Sequence, residues 1–159
     1  ADKRFHTMSQ VGFVVRDLDK TVAVMREKLG VEPPYGTTPE EGREYRGEPG
    51  DFVCRMAFFR FSNIELEFIQ PIAGTRSIWQ DFLDSGREGL HHIRFSIDSQ
   101  QGVEEDMASI GIPVYQKGMA VSKPGHQWAY FDSEPVLGFI IETFNELEKL
   151  AGEKAAPKD

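Results

Sequence analysis

The sequence predicts an α+β fold of two tandem βαβββ modules, about residues 8–72 and 90–144, joined by a linking helix at 75–86. Three observations carry this. Gln10-Val-Gly-Phe-Val-Val15 is followed by a turn and a helical stretch ending in Leu29-Gly30, and the order recurs from His92-Ile-Arg-Phe-Ser-Ile97 to Ile110-Gly111. Each pass then runs through a loop into further strands. Each closing strand sets a carboxylate among apolar residues: Glu67 in Ile64-Glu-Leu-Glu-Phe-Ile69 and Glu142 in Phe139-Ile-Ile-Glu-Thr143. A doubled module with polar groups at matching points predicts a site built between the copies.

The elements follow in order. Val11, Phe13 and Val15 alternate with Gln10, Gly12 and Val14, the period of a strand. Asp17 or Asp19 caps the next helix, which turns Val22, Met25 and Leu29 to one side and stops at Gly30. Residues 32–51 hold Pro33, Pro34, Pro39, Pro49, four glycines and many charges, and read as a long loop. Residues 54–61 and 64–69 form a hairpin around Ser62-Asn63. That turn sets Arg60 opposite Glu65 and Phe58 opposite Glu67, on a face expected to line an open concavity. Phe59, Phe61, Leu66 and Phe68 share the face that packs under helices. Residues 75–85 form the linking helix, with Ile78, Trp79, Phe82 and Leu83 as its buried stripe and Gly86 as its end. The second pass predicts strand 91–97, helix 100–110, a strand near 113–116, a loop at 118–126, and strands 127–131 and 138–144.

The 159 residues suit one domain spanning 1–150, since either repeat alone is short for a core of its own. Residues 151–159 are small and charged, which predicts a mobile tail. A net charge of −8 argues against nucleic acid or an anionic membrane as partner. No apolar run reaches membrane-spanning length and no leader-like segment is present. The lone Cys54 allows neither an internal disulfide nor a thiolate zinc cluster, which points to an intracellular, cytoplasmic protein.

Four residues carry the chemistry. Gln10 and His92 occupy the same point of the repeated first strand, and Glu67 and Glu142 the same point of the repeated last strand. An imidazole, two carboxylates and an amide oxygen form a mixed nitrogen and oxygen set suited to a divalent metal. Taken singly, each has a plainer reading: a strand Glu is usually solvated, and a lone His is usually structural. It is the matched positions that favour a metal. Zn, Ni, Co, Mn and Mg all suit such a set, Zn first among them.

Arg94 should point to the same side as His92, where a fixed cation favours an anionic ligand or pairs with a nearby Glu. His91 should face the opposite side and be structural. His126, in Lys123-Pro-Gly-His-Gln127, is a substrate or acid–base candidate. Trp128, Tyr130 and Phe58 are candidate walls of the cleft. Arg43, Tyr45 and Arg46 sit in the long loop, either solvated or able to close over a substrate.

The segments Gln10-Val-Gly-Phe-Val-Val-Arg-Asp-Leu-Asp19, Ile64 to Pro71, Gly89-Leu-His-His-Ile-Arg-Phe95 and Gly138-Phe-Ile-Ile-Glu142 resemble the vicinal oxygen chelate superfamily of glyoxalases, bleomycin-resistance proteins and dioxygenases. The resemblance covers residues 8–144 and implies a U-shaped, antiparallel-rich mixed sheet around a metal cleft, and a homodimer. The Gly-Leu-His-His segment and the spacing from Glu67 to Pro71 look most like methylmalonyl-CoA epimerases. The family's four metal-holding positions fall on Gln10, Glu67, His92 and Glu142. The epimerases usually carry His where this chain has Gln10, whereas the Gln, Glu, His, Glu set looks like eukaryotic-type glyoxalase I. They also tend to have a small residue at the position of Arg94, and residues 53–58 offer no acid for the base that some of them hold there.

The reading that follows is a metal-dependent isomerase or epimerase acting on a small carbonyl or acyl-thioester substrate. A divalent metal stabilises the enolate while Glu142 or Glu67 moves the α-proton. A glyoxalase I-type lactoylglutathione lyase and a non-catalytic small-molecule binding protein are the alternatives. An oxygen-activating iron site needs two His and one carboxylate, and Gln10 stands where the second His would be.

Overall fold

The computed structural model describes residues 4–33, 35–37, 40–120 and 125–145. In chain order the elements are β1 (Phe5–Val14), α1 (Leu18–Leu29), β2 (Tyr35–Thr37), β3 (Glu40–Tyr45), β4 (Glu48–Pro49), β5 (Val53–Arg60), β6 (Glu65–Ala73), α2 (Ile78–Asp84), β7 (Gly89–Ile97), α3 (Gln100–Ser109), β8 (Val114–Ala120), β9 (Gln127–Phe131), α4 (Glu134–Leu137) and β10 (Ile140–Phe144). The strands form one mixed sheet, ordered β2-β5-β6-β1-β7-β10-β9-β8-β3-β4 and curled into a half-barrel.

The two opening strands meet antiparallel at its middle. Gln10 pairs with Arg94 and Gly12 with His92. Each then takes the closing strand of its own module as a parallel neighbour, Gly12 beside Glu67 and Arg94 beside Glu142. The register is therefore two-fold: what β1 and β6 do with Gly12 and Glu67, β7 and β10 do with Arg94 and Glu142.

Local chemistry sets the helix ends. The Asp17 carboxylate accepts from the Lys20 amide, and Gly30 closes α1 at φ 65°. Ser77 and Ser99 cap α2 and α3 in the same way. On the convex face α1 covers Ala57 and Phe59 with Leu18 and Val22, while Leu66 and Phe68 pack alongside. Helix α3 covers Ala129, Phe131 and Ile141 with Val103 and Met107. Helix α2 packs on the concave side, where Ile78, Trp79, Phe82 and Leu83 join Val14, Met56, Ile69, Trp128, Tyr130 and Ile140. Gln116 on β8 reaches up to α2, its Oε1 accepting from the Ile78 amide at 3.0 Å.

Several expectations hold in detail. The hairpin turns at Ser62-Asn63, with Arg60 opposite Glu65 and Phe58 opposite Glu67. The linking helix buries the stripe read for it. The strand expected near 113–116 runs on to Ala120, and β10 begins at Ile140 because the single-turn α4 and Gly138, at φ 80°, precede it.

Two expectations are corrected. Residues 32–51 are not one long loop, for they contain β2 and the β3–β4 hairpin, which turns through Arg46 and Gly47 at φ 51° and 81°. Their charges hid the strand signal, since a strand near a sheet edge needs no buried face. His91 does not face away from His92. The register steps from Gly12 opposite His92 to Phe13 opposite Leu90, and this bulge turns His91 inward as well. The expected tail at 151–159 lies outside the described residues.

Candidate metal centre

Three of the four site residues converge. One ligand atom each from Glu67, His92 and Glu142 lie within 4.8 Å of one another, the metal-competent group among the described residues. His92 Nε2 is 3.2 Å from Glu67 Oε2 and 3.2 Å from Glu142 Oε2. All are buried: His92 is 0% exposed, and Glu67 and Glu142 are each 5% exposed. The face expected to be an open concavity is therefore covered at this point.

Gly12 makes room for the imidazole. A Cβ at that position would stand 1.8 Å from Cε1 of His92 and 2.0 Å from its Nε2. The Tyr130 ring closes the other side, edge-on to His92 with centroids 4.9 Å apart.

Gln10, the expected fourth member, is 0% exposed and lies two residues before Gly12 on β1. Its Nε2 donates to Glu65 Oε1 at 2.7 Å, while its buried Oε1 has no hydrogen-bond partner. The amide is thus held by its nitrogen with its oxygen lone pairs unused. Glu142 Oε2 has His92 Nε2 at 3.2 Å and no further partner. A buried amide oxygen without a partner, with an imidazole nitrogen and two carboxylates converging on the neighbouring strands, fits a divalent cation.

The charges agree. Burial would lower the His92 pKa, but its contacts with Glu142 and Glu67 outweigh that and raise it to about 9. Burial, and less strongly the facing Glu142, raise the Glu67 pKa against the opposing pull of His92. Burial and the two carboxylates push the Tyr130 hydroxyl well above its usual value, so it stays neutral. Without a metal, a proton on His92 is the cation between the two acids.

The remaining candidates take definite places. Arg94 pairs with Glu65 at 3.6 Å, donates to Ser9 Oγ at 3.1 Å, and lies over the Phe144 ring at 5.2 Å. Of its two readings the structure therefore favours the salt bridge. His126 is buried and packs on Phe144 at 5.2 Å. Trp128 and Tyr130 face the concave side beside Trp79, and Phe58 packs against the same cluster. Tyr45 donates to Asp81 of α2, and Arg46 stacks on Tyr115 at 4.4 Å, so these side chains brace the linking helix. A cavity of about 280 Å³ adjoins His91 and is lined in part by Phe82, Ile140, Arg46 and Arg87.

Two residues take a part in the site that the sequence does not assign them. Glu65 holds Gln10, Arg94 and Arg60 together. Its signal was available in Glu-Leu-Glu, which puts Glu65 on the same face as Glu67. Gly12 sits in an alternating strand, and nothing in the sequence around it marks the ring it accommodates.

An all-in-one curled sheet with a buried acid–imidazole–acid centre between its repeats defines the class. Residues 9–130 match the Glyoxalase/Bleomycin resistance protein/Dioxygenase superfamily, and the chain belongs to it. Similar solved structures include a hypothetical protein from Bacillus halodurans, 16% identical, with a TM-score of 0.62 over 88% of this chain and 94% of that one. The methylmalonyl-CoA epimerase from Mycobacterium tuberculosis is 17% identical, with a TM-score of 0.60 over 96% and 95%. A Streptomyces coelicolor methylmalonyl-CoA epimerase variant in complex with 2-nitronate-propionyl-CoA is 18% identical, with a TM-score of 0.57 over 90% and 96%. At such identities the likeness is one of fold. No curated protein matches the sequence. Among the described residues no helix is long and apolar enough to cross a membrane.

Proposed function

We propose that the protein is a metal-dependent isomerase, of the epimerase kind, that moves a proton α to a carbonyl. The observation that carries this reading is the convergence of Glu67, His92 and Glu142, with the unsatisfied Gln10 oxygen on the neighbouring strand. These four residues would hold the cation. A divalent metal there supplies Lewis acidity toward a carbonyl oxygen and makes the α-proton easier to remove.

The chain's own groups do the rest. Glu67 or Glu142 takes the α-proton and returns it. Burial already disposes Glu67 to hold a proton, the property an acid–base group needs. Tyr130 keeps His92 in place. Glu65 keeps Arg94 and Gln10 in place and leaves the site without an extra free cation.

The substrate class is a small acyl thioester or related carbonyl acid, supported by the acyl-CoA analogue bound to the structural relative. The glyoxalase I-type reading is kept for one observation, the amide at Gln10 where epimerases usually carry an imidazole. The resemblance also takes the protein as a homodimer, which sedimentation equilibrium checks.

The test is metal loading followed by α-proton exchange in deuterated water. Methylmalonyl-CoA and 2-oxo acids form one arm and a glutathione hemithioacetal the other. Metal-dependent exchange in the first arm supports the epimerase reading, and turnover in the second moves the assignment to the lyase. Ligand binding indifferent to chelators, with no turnover in either arm, would leave a binding protein.

A further inference from the structure

His91 has no part in the reading above, yet it is buried beside the centre. The bulge at Gly12/Phe13 turns it inward next to His92. Its ring stands edge-on to Phe82 of the linking helix, with centroids 5.0 Å apart. Its Nδ1 lies 3.0 Å from His92 Nδ1. On the far side of His92, Nε2 faces both Glu67 and Glu142 at 3.2 Å.

Two ring nitrogens 3.0 Å apart form a hydrogen bond only when one carries a proton and the other a lone pair. A neutral imidazole has one N–H. If His92 Nε2 is to be a ligand, it must present its lone pair between the carboxylates, so its N–H must be Nδ1. His91 Nδ1 is then the acceptor, and the His91 proton sits on its Nε2, which is buried and makes no hydrogen bond in this arrangement.

The competing arrangement explains why an acceptor is needed. With a proton on Nε2, His92 makes charge-assisted hydrogen bonds to Glu67 and Glu142 and has no lone pair for a cation. His91 Nδ1 is the partner that the structure gives His92 Nδ1, and no other hydrogen bond to that nitrogen is seen among the described residues. The sequence doublet His91-His92 becomes a working pair only because the bulge puts both rings on one side of the sheet. An acceptor that is itself neutral also adds no third negative charge beside two carboxylates.

We propose that His91 is a positioning residue that accepts a hydrogen bond from His92 Nδ1 and so holds the His92 Nε2 lone pair toward a divalent cation between Glu67 and Glu142. This rests on the metal-centre reading, and its test is arranged to separate the two. A zinc titration of the full-length wild-type chain against a competing chelator, beside Glu67→Gln, tests the centre alone. Failure to bind one zinc ion, or unimpaired binding by Glu67→Gln, overturns the centre and His91 with it.

The proposal itself is read from His91→Phe, which keeps the ring against Phe82 and removes the acceptor. His91→Asn places an amide oxygen near the position of Nδ1. Zinc affinity should fall about 10- to 100-fold in His91→Phe, the range for outer partners of a ligand. It should stay within a few-fold of wild type in His91→Asn. Equal affinity in wild type and a folded His91→Phe overturns the proposal while leaving the centre standing.

Nitrogen-15 NMR of the zinc-loaded wild type needs no variant. A proton on His92 Nδ1, with scalar coupling to His91 Nδ1 across the hydrogen bond, is expected. A proton on His91 Nδ1, or zinc on His92 Nδ1, overturns the proposal even if His91→Phe fails to fold.

Discussion

Gly12 lies against the imidazole of His92, so close that a Cβ at position 12 would stand 1.8 Å from the ring's Cε1. The contact follows from the register, which pairs the two residues directly across β1 and β7. Gly12→Ala should displace the ring from between Glu67 and Glu142. Overpacking of this kind costs about 1–3 kcal/mol. Thermal unfolding should show that loss, and metal analysis should show a vacant centre. A variant as stable as wild type with full metal content would contradict the contact.

Glu67 and Glu142 are related by the two-fold register and should be equivalent as ligands. Replacing either by Gln keeps the shape and removes one negative charge. Each variant should lose bound metal on dialysis and slow α-proton exchange by at least about 100-fold, the lower end for removing acid–base help. Wild-type metal content and exchange in both variants would end the site assignment.

Metal-free protein should lose stability as the pH rises from about 6.5 to about 9. His92 titrates near 9 when folded and from a reference of 6.5 when free, so between those values the folded state binds more protons than the unfolded one. Stability then falls with rising pH. The contribution is complete below 6.5 and gone once the pH passes the folded value. The raised pKa of Glu67 acts with the same sign, its share being lost as the pH rises through the folded value from above 4.5. Metal takes the place of the proton, so loaded protein should show a flatter curve across this range. Melting curves of both forms at stepped pH check the difference, and parallel curves would count against it.

Gln116 supplies the acceptor for the first amide of α2, at 3.0 Å and fully buried. Gln116→Ala leaves the Ile78 N–H without that partner. A loss of about 1–3 kcal/mol is expected from the unpaired donor. Denaturant unfolding measures it. Metal content should stay at the wild-type level, because Gln116 makes no hydrogen bond to Glu67, His92 or Glu142.

Much of this was legible because it is local or repeated. Ser62-Asn63 fixes a hairpin register by turn chemistry alone, and the register then decides which face Glu67 occupies. The pairing of Glu67 with Glu142 was legible because the repeat exposes equivalent positions. What escaped depends on interruptions of the pattern. A single bulge reverses the side on which His91 lies, and the residues around it carry no mark of it. The crowding at Gly12 comes from a ring 80 residues away in the chain. The β3 strand escaped because its charged residues lie near a sheet edge, where the alternation that betrays a strand is not required.

That strand has a consequence for how the polypeptide can be divided. Glu40–Tyr45 belongs to the first repeat but pairs with Val114–Ala120 of the second. A cut near Gly74 would leave the C-terminal piece with a bare, hydrogen-bond-hungry border and the N-terminal piece with an arm that has lost its seat. Neither fragment would be self-sufficient, and mixing the two should restore what each lacks.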